Sequence, residues 1–231
     1  MSNIKSRSRR NINLNDFYNE GFPLLPEFTW NSPAYPNADK QYILRMCIKK
    51  KELLFPSIPP ELEWLEDQIN RTIQYESRHF GEKPFIYVTV RHGPVTSVTD
   101  DDWHVDGFSM RIPHLPEHNY FCSYSYPTEF VVDPFYIPED FDPLKHNIHK
   151  LFQNSMGDRK VYSMLPGRVY CIDPYIVHRR PKVPEGHVRT FFRITHSAIE
   201  IKDDTNTPNP LLPMPKYNNR DIRLDLKEYS Y

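Results

Sequence analysis

The sequence predicts a mainly β fold, a jelly roll of two sheets, with one packing helix near residues 60–79 and extended arms at both termini. Three observations predict it. Short runs rich in β-branched and aromatic residues recur between turn residues after residue 84. Before these runs, one segment has apolar residues at helical spacing. Prolines outnumber glycines 23 to 7, which favours long ordered loops. One helix followed by roughly eight strands favours two packed sheets over a βαβ sheet.

The chain divides into three predicted parts. Residues 1–12 are expected to form a flexible tail, residues 13–202 a single domain, and residues 203–231, rich in proline and asparagine, an extended arm. Within the domain, "NLNDFYNEG" predicts a short helix, and residues 22–40 are proline-rich and extended.

The next segments define the packing helix and the strands. Residues 41–55 fit a strand or a helix equally well. The helix follows "PSIPP", because four apolar residues then repeat at helical spacing before Gly81: Leu62, Leu65, Ile69 and Ile73. Strands are then predicted at 85–92, 102–112, 120–132 (two runs), 160–165, 167–173, 175–178 and 188–197, with a short helix within 142–157.

Several functional classes lack support in the sequence. The net charge of −1 argues against a general nucleic-acid binder. With seven glycines, the chain contains no GxGxxG, P-loop or GxSxG motif, and HExxH is also missing. The three cysteines form no CxxC pair, and we expect reduced, mostly buried thiols: Cys47, Cys122 and Cys171. No apolar run approaches a membrane span, and the first ten residues lack a signal-peptide core, so we expect a cytoplasmic protein.

The first candidate site is the pair His104-x-Asp106 in "DDWHVDGF". On a strand, residues two apart point to one face, so an imidazole and a carboxylate can converge on one ion. Taken alone the pair is a weak signal, and a surface pair at a strand end is the more common explanation.

His178 and two arginines extend this candidate site. His178 ends a short strand 74 residues after His104, far enough to return on a facing sheet, and two histidines with one carboxylate would leave open positions on Fe(II). Arg189 and Arg193 share one face of the last strand, where a buried guanidinium requires an anion. Their alternative role is in surface salt bridges. Phe191 shares that face as a stacking partner or a core residue.

In this order, His104-x-Asp106, the segment "PGRVYCIDPYIVHRRP" with His178, and Arg189 resemble the Fe(II)/2-oxoglutarate-dependent dioxygenases. The resemblance covers roughly residues 85–197, and it implies that the jelly roll is a double-stranded β-helix. It implies that His104, Asp106 and His178 bind a catalytic Fe(II), and that Arg189 binds the distal carboxylate of 2-oxoglutarate. By likeness to the taurine-dioxygenase-like branch, it also implies that Thr128 assists Arg189 and that Arg193 binds an anionic substrate.

The implied reaction is oxidation of a substrate C–H bond, most often to a hydroxyl, with release of succinate and CO₂. We expect a small-molecule cosubstrate and substrate, with no membrane or nucleic-acid partner, and the terminal arms are a candidate surface for homo-oligomer formation. Two alternatives stay open: a cupin-like metalloprotein of another reaction class, and a non-enzymatic β-sandwich binding module. Six other histidines are expected in loops or on the surface: His114, His118, His146, His149, His187 and His196.

Overall fold

A computed structural model describes residues 35–95, 102–106, 117–131, 133, 135, 146–172 and 176–213. In chain order these residues form β1 (Gln41–Lys49), a 3₁₀ helix (Pro60–Leu65), α1 (Glu66–His79), β2 (Phe85–Pro94), β3 (Glu117–Ser123), β4 (Glu129–Val131), α2 (Ile148–Asn154), β5 (Val161–Ser163), β6 (Tyr170–Ile172), β7 (Val177–Arg179) and β8 (Val188–Ser197). No helix in this part of the chain is long and apolar enough to cross a membrane.

The strands form two antiparallel sheets. The larger sheet has the order β1-β2-β8-β3-β6, and the smaller sheet has the order β5-β4-β7. An isolated antiparallel bridge between His104 and His178 adds one more extended segment beside β7. Strands that follow one another in the chain therefore repeatedly change sheets, as expected of a jelly roll. The predicted mainly β fold class is confirmed.

The 3₁₀ helix and α1 together cover the outer face of the larger sheet. Leu62, Leu65 and Ile69 are fully buried against apolar residues of β2 and β8, such as Val88 and Ile194. The helix ends at His79, and Gly81 follows with a left-handed φ of 83°, which glycine adopts without steric cost. The packing helix near residues 60–79 is confirmed, with its first turns wound as a 3₁₀ helix.

A buried polar network also connects α1 to the larger sheet. The Glu76 carboxylate accepts hydrogen bonds from the Tyr120 hydroxyl at 2.7 Å and pairs with His118 Nδ1 at 2.8 Å. His196 Nε2 lies 3.0 Å from the Thr72 hydroxyl. His118 and His196 were expected in loops or on the surface, and this was wrong. Both lie on strands, and β-strand alternation turns His196 toward the helix-covered face, away from Arg193.

The opposite face of the larger sheet looks toward the smaller sheet. Phe121 of β3 and Phe130 of β4 belong to the apolar cluster between the two sheets. A second apolar cluster joins Trp103 and Val105 to Phe152 of α2. The second cluster also contains Val131 of β4 and Val177 of β7, so it holds the segment around His104 against the smaller sheet.

Some of the other predicted elements lie within the residues that the structure describes, and some lie outside them. The ambiguous segment 41–55 forms β1, which pairs with β2, and α2 lies within the predicted range 142–157. Within 102–112, the residues that the structure describes contribute only the His104 bridge rather than a full strand. The tail 1–12, the helix in "NLNDFYNEG", His114 and residues 214–231 lie outside the described residues. All three cysteines are free, and Cys122 and Cys171 are buried.

The described part of the predicted C-terminal arm packs along β1. Thr207 N donates to Leu44 O at 2.7 Å, and Asn209 Nδ2 donates to Cys47 O at 3.0 Å. Arg45 forms an ion pair of 2.6 Å with Asp203. A cavity of about 210 Å³ remains between β1 and this segment. Residues 203–213 therefore form a covering layer on the edge strand of the larger sheet.

Candidate metal centre

Two backbone hydrogen bonds place His104 beside His178. His104 N donates to His178 O at 2.9 Å, and His178 N donates to His104 O at 2.9 Å. Residues paired in this way on antiparallel strands extend their side chains toward the same face. The two imidazole rings consequently lie 4.5 Å apart between centroids.

Each histidine is oriented by a backbone carbonyl two residues earlier in the chain. His104 Nδ1 lies 2.7 Å from Asp102 O, and His178 Nδ1 lies 2.8 Å from Ile176 O. Because a carbonyl oxygen can only accept, Nδ1 carries a proton in both rings, and Nε2 is the ring nitrogen that remains for a metal ion. This arrangement is typical of histidines that bind a metal through Nε2.

Asp106 completes a group of three metal-ligand side chains. One ligand atom from each of His104, Asp106 and His178 lies within 4.8 Å of the others. Asp106 Oδ2 is 3.4 Å from His178 Nε2, and the Asp106 side chain is 22 % exposed while that of His178 is 6 % exposed. Such separations let one ion reach all three after small adjustments of the side chains, since metal–ligand distances are about 2 Å.

The electrostatics of the group favour the protonation states that bind metals. Burial, followed by the neighbouring His178, lowers the pKa of His104 from 6.5 to about 4. Burial opposes ionisation of Asp106, but Arg193 and then His178 outweigh it and hold the pKa of this carboxyl well below its usual value. At neutral pH the site therefore offers a neutral imidazole at His104 and an ionised carboxylate at Asp106.

Arg193 is paired with the carboxylate of the triad. Its Nη1 atom lies 2.5 Å from Asp106 Oδ2, and its side chain is 14 % exposed. The sequence predicted that a guanidinium at this position needs an anion, and in the structure Asp106 is such an anion. Binding of an anionic substrate by Arg193 stays a prediction.

Arg189 and Thr128 lie together on the inner face of the sheets. Both residues are buried, and Arg189 Nη2 donates to the Thr128 hydroxyl at 3.3 Å. Arg189 Nε donates to Tyr126 O at 3.0 Å, and its guanidinium stands 4.8 Å from the ring centroid of Phe191. The structure thus brings together the two residues that the resemblance paired, and their role toward a cosubstrate stays a prediction.

Sequence reasoning missed several residues that surround the triad. The Phe121 ring lies 5.2 Å from the His178 ring, edge to face, and 5.8 Å from the Arg193 guanidinium. The ring of His149, exposed on α2, lies 5.9 Å from that of His104. Alternation in "NYFCSY" could have assigned Phe121 to the inner face, but no sequence signal relates α2 to His104.

Comparisons with known proteins give few matches. No protein-family model matches the chain, and no curated protein matches it. Among solved structures, AviO1 from Streptomyces viridochromogenes Tue57 is 17 % identical, with a TM-score of 0.35 over 85 % of this chain and 82 % of that chain. EvdMO1 is 16 % identical, with a TM-score of 0.34 over 80 % of this chain and 41 % of that chain. Both TM-scores lie below 0.5, so neither likeness assigns a function to the site.

Proposed function

We propose that this protein is an Fe(II)- and 2-oxoglutarate-dependent oxygenase that hydroxylates a small-molecule substrate and releases succinate and CO₂. The main support for this proposal is that one ligand atom from each of His104, Asp106 and His178 lies within 4.8 Å of the others. Two imidazoles and one carboxylate form the facial ligand set of non-haem Fe(II) oxygenases, which leaves positions open for a chelating cosubstrate and dioxygen. The Nδ1 hydrogen bonds support it further, because they direct both Nε2 atoms toward the same space.

The position of Arg189 supports 2-oxoglutarate as the cosubstrate. Thr128 lies two residues before Phe130, whose cross-strand partner is His178. Two residues of a strand span about 7 Å, so the Arg189–Thr128 pair stands roughly that far along the sheet from the triad. A planar guanidinium binds a carboxylate through two parallel hydrogen bonds. A five-carbon dicarboxylate with a keto acid end could therefore contact the metal and Arg189 together.

The chain's own residues would hold and shield the reactants. His104, Asp106 and His178 would hold Fe(II), Arg189 and Thr128 would bind the distal carboxylate, and Arg193 would orient Asp106. When bound, Fe(II) with 2-oxoglutarate and dioxygen supplies the oxidising chemistry. The buried aromatic side chains Trp103 and Phe121, beside the two histidines, would limit the access of water to the site.

The test combines metal binding with cosubstrate turnover. The full chain is loaded with Fe(II) in the absence of oxygen, and succinate is then measured after addition of 2-oxoglutarate, ascorbate and air. We expect succinate from the wild type and none above background from D106A, because removal of the only carboxylate of the triad abolishes metal binding. The matched control D67A removes a carboxylate from a surface ion pair with Arg71 on α1 and should keep wild-type turnover.

Two outcomes would contradict the proposal. Unchanged Fe(II) affinity in D106A would show that Asp106 is not a ligand of the metal. Firm Fe(II) binding without any effect of 2-oxoglutarate would instead favour a cupin-like metalloprotein of another reaction class, and loss of that binding in H149A would then identify His149 as a further ligand.

A further inference from the structure

We propose that Tyr126, locked by His187, is a positioning residue that fixes the guanidinium of Arg189 and thereby selects the length of the dicarboxylate cosubstrate. This inference rests on the proposed function, because it assigns a cosubstrate carboxylate to Arg189. It concerns a bend between β3 and β4 that leads the chain from one sheet to the other.

The bend contains a strained residue. Tyr126 has a φ of 49°, in the left-handed region that residues with a bulky side chain rarely adopt. Such conformations persist only when the surrounding structure determines them, and they concentrate at ligand-binding sites. Here the left-handed turn coincides with a carbonyl that points to Arg189, since Tyr126 O accepts a hydrogen bond from Arg189 Nε at 3.0 Å.

Side-chain hydrogen bonds connect the bend to the residues that flank Arg189. The Tyr126 hydroxyl lies 2.5 Å from Nδ1 of His187, two residues before Arg189. Ser125 Oγ donates to Val188 O at 3.1 Å, immediately before Arg189. Ser123 Oγ lies within reach of Thr190 O, immediately after it, at 3.2 Å. Three hydrogen bonds therefore connect the bend to the residues on either side of Arg189.

These contacts determine the direction of the guanidinium. Arg189 donates one hydrogen bond from Nε to Tyr126 O and another from Nη2 to Thr128 Oγ1. Because the guanidinium is planar and its N–H groups form a rigid fork, two fixed donors also fix the remaining ones. The distance from Arg189 to the triad is then set by the protein, so a dicarboxylate with one methylene more than 2-oxoglutarate should fit poorly.

The experiment measures binding of two 2-oxo dicarboxylates to the full chain loaded with Mn(II), which binds without turnover. The probes are 2-oxoglutarate and 2-oxoadipate, which is longer by one methylene. Y126F and H187A each remove the hydroxyl–imidazole hydrogen bond, and each should weaken 2-oxoglutarate binding about fivefold. Binding of 2-oxoadipate should weaken less, so that the preference for the shorter acid declines.

Further variants separate positioning from general stability. The double variant Y126F/H187A should bind as each single variant does, because both remove the same hydrogen bond. H187N, which retains an acceptor near the position of Nδ1, should restore most of the binding. The control Y75F removes a hydroxyl from α1 on the opposite side of the larger sheet and should leave both affinities unchanged. Mn(II) affinity should be unchanged throughout.

The inference is overturned if Y126F and H187A change 2-oxoglutarate affinity by less than about twofold while the wild type binds it. Equal weakening for both dicarboxylates would also overturn it, since the length preference would then lie elsewhere. If the Mn(II)-loaded wild type does not bind 2-oxoglutarate at all, the proposed function fails, and this inference fails with it.

Discussion

Acidification should destabilise the fold through one buried histidine, His196. Its side chain is 1 % exposed, and its Nε2 atom contacts the Thr72 hydroxyl behind helix α1. Burial lowers the pKa of His196 from 6.5 to about 4, although the charge of Glu76 acts in the opposite direction. The folded protein therefore keeps this imidazole neutral well below the pH at which an unfolded chain protonates it.

The sign and size of the effect follow from these two pKa values. Between pH 6.5 and pH 4 the unfolded chain binds the proton and the folded chain does not, so the free energy of unfolding decreases as pH falls through this window. The difference between the two pKa values corresponds to roughly 3 kcal/mol in the free energy of unfolding. About 2 kcal/mol of this stability is lost when the pH falls from 7 to 5. Above pH 7 this contribution is constant.

Urea denaturation at pH 7 and at pH 5, with chelator present, measures the effect. The variant H196Q removes the titrating group, so its loss of stability between the two pH values should be smaller than that of the wild type by about 2 kcal/mol. I73V, on the same helix, is a control for destabilisation alone: it should lower stability by about 1 kcal/mol at both pH values. Equal pH dependence in H196Q and wild type would refute the reasoning.

Three further predictions concern the core, a glycine and the metal. F192A removes a fully buried ring beneath α1 and should destabilise the protein by about 3–5 kcal/mol in urea denaturation. G93A should lower the free energy of unfolding by roughly 1–3 kcal/mol, because φ of Gly93 is 137° and an added Cβ would lie 3.1 Å from Lys40 Cγ. At Gly157 an added Cβ would meet open space, so G157A should lower it by only about 1 kcal/mol. Mn(II) at a hundredfold excess over its Kd should raise the free energy of unfolding by about 2.7 kcal/mol, and a metal-independent melting curve would contradict a metal centre.

The sequence predicted best the features that depend on local periodicity. Apolar spacing identified the helix that buries Leu62, Leu65 and Ile69, because a helix needs one continuous apolar stripe to pack on a sheet. Alternation likewise placed Arg189 and Arg193 on one face of β8. These assignments follow from the periodicity of side chains alone, 3.6 residues in a helix and 2 in a strand, and do not depend on which element packs against them.

Features that depend on distant partners could not be predicted in this way. Residues 41–49 became a strand because β2 offers them a partner, and the local sequence allowed a helix as well. The sequence predicts His118 in a loop or on the surface, because no local pattern shows that Glu76, 42 residues earlier, places a buried carboxylate beside it. The ion pair between Arg193 and Asp106 joins residues that are 87 positions apart in the chain. The left-handed φ of Tyr126 could not be predicted either, because glycine and asparagine are the residues that usually indicate this conformation.

The register of β8 connects stability to the candidate site. This strand pairs with β2 over ten residues without a bulge and with β3 on its other side. Phe192 and Ile194 thereby face the helix-covered core, while Arg189 and Arg193 extend from the opposite face toward Thr128 and Asp106. A shift by one residue would bury both guanidiniums beneath α1 and expose the apolar residues to the site, which no side-chain adjustment could compensate. The apolar packing that stabilises the larger sheet is therefore also what places Arg193 on Asp106 and Arg189 on Thr128.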